Sequence, residues 1–248
     1  MSNDHIVKTF DEDLSLLDNK IAEMGGLAEL QLANAIDALL RPDTEKSERV
    51  ILNDQRIDDL EKEIDAFTVQ LLALRQPMAD DLRIVIAALK ISSVLERIGD
   101  YAKNVAKRTI ALNQSHSVGN AANTIARMGN LVQGMIKNVL DAYVSRDVEQ
   151  ALDVWERDEE VDQLHTSLFR ELLTYMLEEP RNITACTHLL FIAKNVERIG
   201  DHATSIAEQV HFMVRGDVPE DKRPKSDQSS FTVIEQEEVP ANDGGQDA

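Results

Sequence analysis

The sequence predicts an all-α protein of two up-down-up three-helix bundles followed by an acidic tail, and three observations carry that prediction. Aromatic residues are only 4% and prolines number six, while Leu, Ala, Ile, Glu and Asp are abundant, a helix-forming composition. Apolar residues recur in steps of three and four over stretches of about 30 residues, the spacing of one helix face. The same five residues, Glu-Arg-Ile-Gly-Asp, occur at 96–100 and again at 197–201. A chance five-residue repeat arises in roughly one chain in twenty of this composition, so the recurrence points to duplicated halves.

The first helix runs from about Asp4 to Leu40, with Leu14, Leu17, Ile21, Met24, Ala28, Leu32, Ala35 and Leu39 along one face. Arg41-Pro42-Asp43 ends it, because proline cannot continue a helix interior, and Thr44 is placed to cap the second. The second helix carries Val50, Ile57, Leu60, Ile64, Phe67, Leu71 and Leu74 and stops at Arg75-Gln76-Pro77. The third starts near Ala79, carries Ile84, Ala88, Ile91, Leu95, Ile98, Ala102 and Val105, and ends around Asn113. Short turns between such helices make antiparallel neighbours.

Ser115-His116-Ser117-Val118-Gly119 reads as a polar link, after which the plan repeats. A fourth helix ends about Ser145, a fifth spans about Val148–Leu177, Glu179-Pro180-Arg181 breaks the chain, and a sixth runs from Ile183 to about Val214. The halves align without a gap from Met24 against Met128 through Leu60 against Leu164, pairing Gly25 with Gly129, Asp43 with Asp147, Asp54 with Asp158 and Asp58 with Asp162. The implied units are residues 1–114, 115–215 and 216–248. The last is punctuated by Pro219, Pro224, Pro240, Gly244 and Gly245 and reads as a disordered tail without a function of its own. Its short apolar patch, Phe231-Thr232-Val233-Ile234, is the one candidate docking motif in it.

A net charge of −19 disfavours nucleic acid or an anionic membrane surface as a direct partner and favours basic proteins or cations. The single Cys186 forms no internal disulfide, which fits a reducing cytoplasm, and its apolar helical setting reads as a buried small residue. No signal-peptide core is visible at the start, and no apolar run approaches the ~20 residues of a membrane span. The reading is a cytoplasmic protein that meets membranes only through partners. No cluster of basic residues marks a phosphate pocket.

The duplication picks out eight acids. Glu96 and Asp100 lie four apart on one face of the third helix, as do Glu197 and Asp201 on the sixth. Asp54 and Asp58 on the second helix match Asp158 and Asp162 on the fifth. An acid-x-x-x-acid pair alone means little, since about eight arise by chance among so many acids, and a solvated face is its ordinary meaning. Recurrence at matching places changes the weight. So does height along the hairpin: the midpoints of the first two pairs lie 21 residues before and 21 after Pro77, those of the second two 20 before and 19 after Pro180. At ~1.5 Å per residue each half gathers four carboxylates at one level, at the edge of a helix–helix seam. Converging acids repel, and a multivalent cation held by oxygen ligands offsets that repulsion. The donor set suits Fe, Mn or Mg, and the competing reading is neutralisation by Lys90, Arg97, Lys103, Lys194 and Arg198. The Gly inside each repeat costs about 1 kcal/mol in a helix interior, so packing or a site must require it.

A catalytic site is not visible. Ferritin-like di-metal centres need two Glu-x-x-His-type pairs, but Asp162-x-x-His165 and Glu208-x-x-His211 fall roughly 20 Å apart in height. There is no nucleophile–base pair, P-loop or dinucleotide fingerprint.

The chain resembles the PhoU family of phosphate-uptake regulators. The resemblance covers almost all of residues 5–214 and includes HIVKTFDEDL, EMGGLAELQLANAI, QPMADDLRIVIAALKISSVLERIGDYAKNVAKR and HLLFIAKNVERIGDHATSIAE. It implies three-helix bundles related by a pseudo-twofold, with metal clusters on acid-x-x-x-Asp motifs, here Asp54, Asp58, Glu96, Asp100, Asp158, Asp162, Glu197 and Asp201. It also implies action with the ATPase subunit of the high-affinity phosphate ABC transporter and with the phosphate-sensing histidine kinase, negative regulation of the phosphate regulon, and a homodimer. One departure is visible: Asn104 follows the first motif by four, whereas Ser205 stands at the second, where the family often has Asn. The expectation is therefore a non-enzymatic regulatory adaptor, against the alternatives of a metal-dependent phosphohydrolase or a metal-free helical scaffold.

Overall fold

The computed structural model describes residues 2–115 and 118–217, side chains from residue 10 onward, together with residues 219, 227, 229 and 232. His116 and Ser117 of the predicted link, and most of the predicted disordered tail, lie outside the described residues.

Six long helices follow one another among the described residues: α1 (Ser2–Leu40), α2 (Thr44–Arg75), α3 (Asp80–Leu112), α4 (Ala121–Ser145), α5 (Val148–Glu178) and α6 (Ile183–Arg215), with a 3-10 turn at Pro180–Asn182. No strand occurs among the described residues. The α2 cap differs from expectation by one residue. Asp43 is extended and its carboxylate accepts from the Lys46 N–H, while Thr44 is already helical. Asp147 does the same for α5, accepting from the Gln150 N–H. Two aspartates aligned by sequence thus start the matching helices of the two halves, because a short carboxylate satisfies amides that the first turn leaves open.

The predicted apolar faces form the core, except that Leu74, in the last turn of α2, is exposed. Leu17, Ile21, Met24, Ala28 and Leu32 of α1, Ile57 and Ile64 of α2, and Ile91, Leu95, Ile98, Ala102 and Val105 of α3 are fully buried. Their counterparts on α4, α5 and α6 join them in one continuous cluster. Cys186 is buried in it, and that burial pushes its thiol pKa up.

Within each half all three helices pack on one another, and the halves meet through α1 against α4 and α3 against α6. These are the pairings of a twofold relation, and several contacts across the interface obey it. A Cβ on Gly25 would stand 2.6 Å from Leu140, and one on Gly129 would stand 2.7 Å from Ile36, the residue matching Leu140. Tyr101 stacks on His202, its own counterpart, with ring centroids 5.4 Å apart. The Gln133 amide donates to Glu29, again its counterpart, at 3.2 Å. Tyr143 ties α4 to α1 by donating to Asp18 at 2.6 Å, and Arg146 meets the other Asp18 oxygen at 2.6 Å.

Gly129→Ala tests the α1–α4 approach. The new methyl gains helix propensity of about 1 kcal/mol but must displace Ile36, so a net loss of about 1–2 kcal/mol in urea unfolding is expected. Unchanged or increased stability would contradict the described packing.

Candidate metal and regulatory site

Each half forms its acid cluster where the middle and last helices run side by side. In the first half Asp54 of α2 is buried, and Asp58 of α2 and Glu96 and Asp100 of α3 are half-buried. Gly99 explains how Asp54 enters the seam. A Cβ there would lie 3.2 Å from Asp54 Oδ1 and 2.9 Å from Ile57, so the missing side chain is the space that the carboxylate and its helix occupy. The Gln31 amide of α1 donates to the same Asp54 oxygen at 2.8 Å. Lys103, one turn beyond the repeat on α3, bonds Asp54 and also donates to Asp100 at 2.7 Å.

Charge is not balanced by that one ammonium. Burial, and then repulsion from Asp100, Glu61, Asp58 and Asp54, raises the Glu96 carboxyl above its usual range. Burial likewise raises Asp54 despite Lys103. Lys103 is held protonated: burial works against its charge, and the bonds to Asp100 and Asp54 outweigh that. Glu61 was not singled out in the sequence, yet it belongs to this group. Burial and the neighbouring Asp65 and Asp58 raise its carboxyl. Its signal was its position one turn beyond Asp58, on the same helix face.

The second cluster lies deeper. Asp158, Asp162 and Glu197 are 1%, 2% and 4% exposed, and Asp201 is half-buried. Gly200 repeats the role of Gly99, since a Cβ would meet Asp158 Oδ1 at 2.9 Å. The cation here is Lys194, which donates to Glu197 at 2.8 Å. Burial, opposed by Lys194, lifts the Glu197 carboxyl to about 7. Its Oε2 is buried and accepts no hydrogen bond among the described residues. Ser205 turns its hydroxyl back to the Asp201 carbonyl at 3.0 Å.

The sequence expectation of edge-lying acids therefore needs correction in depth: four of the eight are buried, because each Gly lets the middle helix come closer. Of the five basic residues weighed as neutralisers, only Lys103 and Lys194 bond the acids. Lys90 lies over the Phe212 ring at 5.4 Å, and Arg198 over Tyr101 of α3 at 5.7 Å. Among the described residues no three His, Cys, Asp or Glu side chains converge as a ready-made cation cage. A basic cleft, absent from the sequence reading, lies between α1 and α2 beside Gln31. It measures about 340 Å³ and is lined by Lys46, Arg49 and Arg56. Each of these cations is tied to an acid: Lys46 to Asp37, Arg49 to Glu45 and Arg56 to Glu23.

Duplicated three-helix bundles, each with an acid group wedged into its own seam, define a helical protein with paired polar sites. The PhoU domain model matches residues 21–109 and again 125–210. The chain belongs to the PhoU family. It is 51% identical over 224 residues to the phosphate-specific transport system accessory protein PhoU homolog of Caulobacter vibrioides, covering 90% of this chain and 97% of that one. The homolog of Rhizobium meliloti is 49% identical over 230 residues, 93% and 97% of the two chains. Among solved structures, PhoU from Pseudomonas aeruginosa superposes with a TM-score of 0.81 at 38% identity, covering 84% of this chain and all of that one (100%). The phosphate transport system regulatory protein PhoU from Streptococcus pneumoniae gives 0.80 at 28%, covering 85% and 99%.

Glu197 supplies a pH test. Its carboxyl ionises near 4.5 in the unfolded chain and near 7 in the folded one, so between these values the folded state binds more protons and stability falls as pH rises, levelling above about 7. In chelator-treated protein this contribution should be of the order of 3 kcal/mol, and the fall across that window should be smaller by about that amount in Glu197→Gln, measured by urea unfolding.

Proposed function

We propose that the chain is a cytoplasmic, non-enzymatic adaptor that restrains phosphate uptake and phosphate-regulon signalling, working with the ATPase subunit of the phosphate ABC transporter and the phosphate-sensing histidine kinase, as a homodimer. Membership of a family whose relatives carry the names accessory and regulatory protein of phosphate transport supports the transport role. No described helix is long and apolar enough to cross a membrane, which fits contact with membrane proteins through their soluble parts.

The observation that carries the mechanistic part is the twice-built carboxylate seam. Asp54, Asp58, Glu96 and Asp100 in one half, and Asp158, Asp162, Glu197 and Asp201 in the other, line the seam between the middle and the last helix; in the first half Lys103 bridges that seam and the acids still raise the Glu96 carboxyl. An all-oxygen donor set of this kind suits Fe, Mn or Mg, and a bound cation would supply the charge that the lysines supply only in part. Crowded acids with raised carboxyl pKa values and the bare Glu197 Oε2 fit that role. The acids then hold the α2–α3 and α5–α6 hairpins at one spacing, presenting a fixed face to the transporter and the kinase.

The lysine contacts support a second reading, a metal-free scaffold in which ammonium groups alone balance the acids. Elemental analysis of purified protein separates the two. Under the first, metal copurifies, and Lys103→Met raises cation affinity because a competing ammonium is gone. Asp100→Ala with Asp201→Ala should lower metal content and weaken capture of the ATPase subunit or the kinase by about tenfold or more. Intact capture by that double variant would remove the cation from the mechanism.

A further inference from the structure

The tail residues that the structure describes are not spread over the surface. Asp227 sits beside the second acid cluster and is 16% exposed at its side chain. Lys194 of α6 donates to its Oδ2 at 2.8 Å, and the Ser229 N–H to its Oδ1 at 2.9 Å. On α5, His165 Nδ1 lies 3.4 Å from Oδ1 and the Thr166 hydroxyl donates to the same oxygen at 3.5 Å. The Asp227 N–H in turn donates to Asp162 Oδ2 at 3.2 Å. The carboxylate and the backbone of one tail residue thus engage both helices of the hairpin.

Beside this anchor lies an apolar cavity of about 240 Å³, walled by Phe169, Leu190 and Phe191, with His165 and Lys194 at its polar end and Ser229 on its rim. The Thr232 N–H closes a turn onto the Ser229 carbonyl at 3.2 Å. The apolar run Phe231-Thr232-Val233-Ile234 begins two residues beyond Ser229 in the sequence. An acidic anchor followed at once by an apolar run matches a cationic end followed by an apolar cavity.

The first half lacks such a surface. Where the second has His165, Phe169, Phe191 and Lys194, the duplicated positions hold Glu61, Asp65, Lys90 and Ser93. Glu61 and Asp65 would repel an incoming carboxylate, and Ser93 offers no charge to hold it. The two copies of the scaffold thus differ at His165 and Lys194, which face Asp227, and at the walls of the neighbouring cavity.

We propose that residues 227–234 are a docking segment for the α5–α6 groove, anchored by Asp227 on Lys194 and Thr166 beside His165, so that the chain's own tail caps the second acid cluster and leaves the first open. The groove is therefore an interaction surface whose resident occupant is intramolecular. An incoming partner segment with the same pattern, an acid followed by apolar residues, would have to displace it. The interaction needs no bound cation and stands apart from the cation reading.

Hydrogen exchange of the full chain in chelator, read by mass spectrometry on peptides spanning 227–234, tests it. Exchange in the unaltered protein should be slowed by about tenfold relative to Asp227→Ala and Lys194→Ala, and the double variant should be no faster than either alone. Asp227 lies outside the six helices, so the melting transition of Asp227→Ala should match that of the unaltered protein and exclude misfolding as the cause. His165 should also react faster with diethyl pyrocarbonate in Asp227→Ala. Tail exchange that is equally fast in the unaltered protein and in Asp227→Ala would overturn the proposal, as would an unchanged His165 reaction rate.

Discussion

The structure turns on one constraint: a carboxylate pushed into the seam between two helices must find a positive charge, or else keep its proton. Asp54 and Asp158 enter their seams because Gly99 and Gly200 present no side chain to stop them. Once inside, each draws company. Asp54 holds Lys103 and Gln31, and Lys103 reaches on to Asp100, so the α2–α3 hairpin is cross-linked by charge as well as by its apolar stripe. In the second seam Glu197, 4% exposed, has Lys194 alone among the described residues to offset its charge, and the cost of burial appears as a carboxyl that keeps its proton to about pH 7. The same apolar contacts that stabilise the bundle therefore create the polar sites, because the closeness of the helices is what strips water from the acids.

Duplication supplied the plan, and divergence made the two sites unequal. The surface ion pair Glu23–Arg56 of the first half is matched at equivalent positions by Arg127–Glu160, with the signs exchanged. Such a swap preserves a favourable pair while altering each residue in it, and shows that position rather than identity was kept there. At the acid clusters the changes are not neutral. Glu61 in the first half adds a carboxylate to an already crowded group, whereas His165 at the matching place faces an acid from the tail. One cluster is half-open; the other is deeper and has a tail carboxylate beside it.

Much of this was legible in the residues themselves. Helix number, their ends to within a residue or two, the core faces and the pairing of the halves all follow from local rules: three-and-four spacing, proline breaks and the alignment of Asp43 with Asp147. The recurrence of Glu-Arg-Ile-Gly-Asp flagged the glycine as wanted by something, and equal height along the hairpin placed the acids together. The helix inferences held because each depends on the chain's own periodicity and length.

What the sequence could not decide was direction and depth across the seam. Helical spacing puts Asp54 and Asp58 on one face, but only the packed helices bury the first and leave the second half-exposed. Of five nearby basic residues, Lys103 and Lys194 meet the acids while Lys90 and Arg198 lie over aromatic rings, a choice set by where neighbouring helices cross. The tail's acid against α5 and α6 has no periodic signature at all, since it joins residues more than thirty and sixty positions apart along the chain. Local pattern determined the helices and their likeness; burial, partner choice and long-range contact came only from the way those helices pack.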